Sequence, residues 1–173
     1  MQAKFIKQLS SMLISYLDPI KSLDTMKQEY LEHEHRLLTD FNTFNRLISE
    51  AKIETRKTPD FVQYHLSAMQ HIRHIFRLMS VFICYLTTDE IRVNPWVCEN
   101  LRQLLIAMQG VQQALSERTT HDLPEPLEDQ IQDDTLQVIL TDIHHELALF
   151  AENIKHIVRI SNTWKGRPHD SKA

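Results

Sequence analysis

The chain has 173 residues, is 42% hydrophobic and carries a formal net charge of −4, with Lys+Arg 19 against Asp+Glu 23. That length suits one core burying roughly two-thirds of the surface the unfolded chain exposes, and that charge balance lacks the broad positive field that gathers nucleic acid. Only two glycines occur, Gly110 and Gly166, which removes most nucleotide-binding loops, nucleophile elbows and tight β-turns from consideration.

The first predicted element runs from about Gln2 to Leu17, where Phe5, Leu9, Met12 or Leu13, and Tyr16 make one apolar stripe on a helix. Gln8, Ser10, Ser11 and Ser15 interrupt the apolar core a signal peptide would need. Asp18 followed by Pro19 supplies a cap and a first-turn proline for the second helix, with Ser22 as the alternative cap. That helix is expected to reach about Lys52, with Leu23, Tyr30, Leu37, Phe41, Phe44, Ile48 and Ala51 on a heptad track broken only by Glu34.

The linker from Glu54 to Thr58 ends it, and Pro59 with Thr58 or Asp60 starts a third helix extending to about Leu86. Its inward track is His65, Met69, Ile72, Phe76, Met79, Ile83 and Leu86, widened by Leu66, Ala68, Ile75 and Phe82, so it is expected to be the most enclosed helix. The longest apolar run, Val81 to Leu86, is far short of the roughly twenty residues a membrane span needs. After a connector from Thr87, Asn94 and Pro95 begin a fourth helix seamed by Val97, Leu101, Leu104, Met108, Val111 and Leu115.

Ser116 to Pro126, with Pro124 and Pro126, reads as the clearest loop. Beyond it, Leu136, Leu140, Ile143, Leu147, Phe150, Ile154 and Ile157 alternate four and three apart and define a fifth helix to about Trp164, stopped by Gly166 and Pro168. The fold class is therefore all-α: an antiparallel up-and-down bundle of four long helices plus a shorter N-terminal one, residues 1–165, with 166–173 as a loose tail. Cys84 and Cys98, both among apolar neighbours, read as reduced core residues, which suggests a reducing, cytoplasmic setting; a bridge between them is the alternative.

Ten histidines raise the question of a metal. Carboxylate-bridged dinuclear centres in bundles need an acid and a histidine three apart on two helices and single acids on two others. Glu32 with His35 and Asp142 with His145 show the spacing, yet the third helix has no Asp or Glu from Phe61 to Leu86 and both pairs lie off the apolar seams. No metal or other cofactor is assigned; a bundle enzyme or metal protein built on these four residues is the alternative reading. His65 sits on a seam, and His144 and His145, being adjacent, point to different faces. The small residues and lysine that follow a phosphotransfer histidine are missing after His65, His71 and His74.

A basic strip is the more distinctive feature. His71 and His74 share a helical face, flanked by Arg73 and Arg77 and completed by Gln63, Ser67 and Gln70, with no counter-charge on the same helix. Either acids from another helix meet it or a partner does. The run Glu125, Glu128, Asp129, Asp133 and Asp134 is the acidic supplier considered, and acids there also suit the start of the fifth helix.

In layout, a short lead helix, a long helix bearing EYLEHEHRLLTDFNTFNRLISEAK, another with QYHLSAMQHIRHIFRLMSVF and two more after proline breaks, the chain resembles the cytoplasmic helical portion of fusaric-acid-resistance-type inner-membrane proteins over about Lys4 to Leu115. The resemblance implies a soluble assembly or regulatory part of an efflux-type protein at the inner face of the inner membrane. No transport residue carries over, because transport would occur in spans that this chain lacks. The expected function is a non-catalytic helical interaction or regulatory domain that contacts a protein partner, or a second copy of itself, through Phe5, Leu9, Met12 and Tyr16 on the first helix, a stripe that can pair with another chain or else cap the bundle, or through His71, Arg73, His74 and Arg77.

Overall fold

The computed structural model describes residues 2–54, 59–86, 94–117 and 134–165. They form five α-helices in an all-helical bundle: α1 (Gln2–Leu17), α2 (Leu23–Glu54), α3 (Pro59–Tyr85), α4 (Pro95–Glu117) and α5 (Asp134–Lys165). The linker at 55–58, the connector at 87–93, most of the Ser116–Pro126 loop, the acids Glu125, Glu128, Asp129 and Asp133, the side chains of Ala51 and Asp134, and the tail from Gly166 lie outside the described residues.

Helix starts follow side-chain chemistry. Asn94 Oδ1 accepts the backbone N–H of Trp96 (2.9 Å) and of Val97 (3.4 Å), and the Asn94 carbonyl accepts from Cys98 (3.0 Å), so Asn94 caps α4 with Pro95 in its first turn. At α2 the cap is Ser22, whose Oγ accepts the Thr25 N–H at 3.2 Å. Asp18 is spent on a tight turn instead, accepting the Ile20 N–H at 3.0 Å, and the helix begins at Leu23 rather than Pro19.

Cross-helix pairs set the register. Lys4 with Asp40 (2.8 Å) and Ser15 with Glu29 (2.5 Å) descend along α2 as they ascend along α1, so these helices are antiparallel. Between the two polar clasps, Phe5 stacks on Phe41 at 4.7 Å and meets Phe44 edge-on at 6.4 Å. Tyr30 stacks on Phe76 (5.9 Å) and bonds Ser80, and Arg73 lies over Phe41, which runs α3 antiparallel to α2. Tyr64 stacked on His156 (4.5 Å) and His71 bonded to Glu146 (2.7 Å) do the same for α3 and α5.

The apolar residues of all five helices join in one cluster, and the seams of α1, α3, α4 and α5 lie on it, with Leu115 partly and His65 half-buried. The tightest partnerships are α1 with α4 and α3 with α5, not the sequence neighbours. Small side chains permit this closeness: Ser10 and Ser15 are buried on α1, Ala107 and Ala114 on α4, Ala68 on α3 and Ala151 on α5.

Three expectations are corrected. The most enclosed element is α1 rather than α3, with nine of its sixteen residues buried. Phe5 and Leu9 are 0% exposed, Met12 1% and Tyr16 3%, so the stripe expected to meet a partner is part of the bundle's own core. Cys84, expected inside, is exposed: it shares the outward side of α3 with Val81 and Tyr85, while Cys98 is half-buried and no disulfide joins the two.

Candidate functional site

The strip on α3 was read as basic with no internal counter-charge, and α5 supplies one. Glu146 follows the core residue Ile143 and precedes Leu147, so it stands at the edge of the buried face of α5. From there each carboxylate oxygen accepts one imidazole N–H of α3: Oε2 from His71 Nδ1 at 2.7 Å and Oε1 from His74 Nδ1 at 2.9 Å. The Glu146 side chain is only 13% exposed. Burial alone would raise its carboxyl pKa, but the bonds from His71 and His74, together with the imidazole charges, outweigh burial and hold it below the usual carboxylate range.

Glu146 is the residue that sequence reasoning missed. The acid run ahead of α5 drew attention because it is unbroken, whereas Glu146 is a lone acid among Ala, Leu and His. The available signal was its place flanking the Ile143–Leu147 seam on the helix that packs against α3.

Around this bridge lies an open cavity of about 410 Å³ lined by Gln70, His71, Arg73, His74, Arg77 and Glu146. Arg73 is exposed, and its guanidinium sits 5.4 Å from the Phe41 ring centroid, an attraction that fixes where the charge is held. Arg77 is exposed one helical turn further on. Neither arginine has an acidic partner among the described residues, and both line the one concavity. Because both imidazoles meet Glu146 through Nδ1, their Nε2 atoms lie on the far side of each ring from the carboxylate.

A second concavity, about 520 Å³, lies between α2 and α3 and is lined by Lys27, Tyr30, Leu31, Glu34, Ser80, Ile83 and Cys84. Its walls are mainly apolar, and the Tyr30 phenol inside it is pushed up to about 12 by burial, which outweighs its bond to Ser80. Leu31, Val81 and Tyr85 are exposed nearby in sequence.

The four residues of the metal alternative are not brought to a buried centre: Glu32, His35, Asp142 and His145 are all exposed, and Glu32 pairs loosely with Arg36 at 3.9 Å. Among the described residues no group of three or more His, Cys, Asp or Glu is placed to hold a metal ion. His144 and His145 point apart as their adjacency requires, the first buried and the second exposed. Burial pushes the His144 imidazole down to about 4, against the effect of a bond to the Asn100 backbone. His65 is half-buried, packed edge-on against Phe61 at 4.4 Å, and is likewise pushed down to about 4 by burial. Among the described residues no helix is long and apolar enough to cross a membrane. Neither a protein family, a curated protein nor a solved structure matches the chain.

Proposed function

We propose that this protein is a non-catalytic helical interaction domain that engages an acidic segment of a protein partner through the basic cavity on α3. The observation that carries the reading is the pair of exposed guanidinium groups, Arg73 and Arg77, sharing one concavity without an acidic partner among the described residues. A surface ion pair adds little to a fold, so leaving two arginines open costs the bundle little and keeps their charge available for recognition. Arginine's planar, multi-donor head suits carboxylate and phosphate groups in particular. An assembly or regulatory role of this kind is also what the layout resemblance to the cytoplasmic portions of fusaric-acid-resistance-type proteins implies.

The contact surface in this reading is α3 with the edge of α5, and the α1 stripe takes no part because it is core. Replacing both arginines by glutamine (R73Q/R77Q) removes charge from exposed positions while keeping polar, hydrogen-bonding side chains. Affinity capture from the source cells, with wild type and variant side by side, should lose the partner while the melting temperature changes by no more than a few degrees. An identical set of captured proteins would refute the proposal.

A further inference from the structure

The chemistry of the α3 cavity specifies what kind of group it holds. We propose that the cavity is an oxyanion site that takes a doubly charged tetrahedral group, such as a phosphate monoester or inorganic sulfate, and holds it more tightly when His71 and His74 are protonated. This rests on the reading of the cavity as a recognition surface and names the group recognised.

Three observations lead to it. First, His71, His74 and Arg77 follow one another at three-residue steps along one side of α3, and Arg73, off that side, still lines the same concavity. Second, Glu146, the one carboxylate among the described residues that line the cavity, has each oxygen occupied by an imidazole N–H, so it serves as a clamp for the rings. Third, Arg73 is held over Phe41, which reduces the freedom it would lose on binding. A carboxylate offers two acceptor oxygens; a tetrahedral oxyanion offers at least three and carries a second charge, matching two guanidinium forks flanked by imidazole Nε2 atoms.

Protonation then changes the site. In the neutral rings the Nδ1 proton is committed to Glu146, so Nε2 carries a lone pair facing away from the carboxylate and repels an anion. Adding the second proton turns each Nε2 into a donor. Two guanidinium charges against one carboxylate leave the cavity at +1 with both rings neutral and +3 with both protonated. Among the described residues, the charged groups that line the cavity with the two rings are Glu146 from α5 and Arg73 and Arg77 from α3; Asp142, a turn earlier on α5, is exposed and does not line it, and α2 brings Phe41 to Arg73.

Sulfate is the probe of choice because its charge is constant across the range in which histidine titrates, so any pH dependence belongs to the protein. Wild type and R73Q/R77Q should be titrated with sodium sulfate against sodium chloride of equal ionic strength, following histidine and arginine side-chain NMR signals at about pH 5.5 and about pH 8. The expected result is saturable shifts at His71, His74, Arg73 and Arg77, about tenfold or more tighter at the lower pH and absent from the variant. R77Q alone should be intermediate. Shifts that are linear in salt, equal in the variant, or independent of pH would overturn the proposal. Sulfate binding without partner capture would leave this site standing as one for a small anion and remove the protein partner; capture that depends on the arginines without sulfate binding would do the reverse.

Discussion

His144 makes the bundle acid-labile in a way that can be calculated. The ring is 6% exposed, its Nε2 has no hydrogen-bond partner, and burial pushes its pKa from the ordinary 6.5 to about 4. In the unfolded chain the same ring takes up a proton near its ordinary value. Between these limits the unfolded state binds more protons, so stability is complete above about pH 6.5 and falls as pH drops toward 4. Linkage puts the loss at about 2 kcal/mol by pH 5 and about 3 kcal/mol by pH 4. Urea denaturation followed by far-UV circular dichroism should be run on wild type and His144→Leu at pH 7.5 and pH 5. Leucine also removes an unpaired polar atom, but that offset is the same at both pH values and cancels in the difference. Wild type should lose about 2 kcal/mol more than the variant between the two conditions, with His65, shifted the same way, adding its loss to both. Equal losses would show that His144 is reached by water or a counter-charge in solution and would refute the argument.

Phe5 is fully buried and stacked on Phe41, so Phe5→Ala should cost about 3–5 kcal/mol and lower the melting temperature by roughly 10 °C or more; a shift of a degree or two would place α1 outside the core. Asn94→Ala removes the acceptor for two N–H groups at the start of α4 and should cost about 1 kcal/mol in chemical denaturation. Asn94→Asp should retain most of that stability, and equal losses in both variants would assign the effect to something other than capping.

How much of this was legible in the chain differs between fold and site. The four-three alternation from Leu136 to Ile157 needed no context, because burying one helix face requires apolar residues at that period, and every one of those seven positions is buried. Asn94 and Pro95 announced the start of α4 for an equally local reason. At Asp18 and Ser22, two caps of similar propensity competed within four residues, and the turn geometry chose between them. The enclosure of α1 was hidden because Ser10 and Ser15 read as polar, whereas at a close helix crossing a small side chain is buried whatever its polarity.

For the site, the chain alone determined that His71, His74 and Arg77 run along one side of α3 with Arg73 off it, since helical spacing is a property of the backbone. Which acid would meet them depended on which helices pair. The tertiary structure joined α3 to α5 in the register that sets Tyr64 on His156, and that register delivered Glu146 to both imidazoles. Periodicity reports which side of a helix is dry; the partner across the interface is decided by how five dry faces are shared out, a property that no single segment carries.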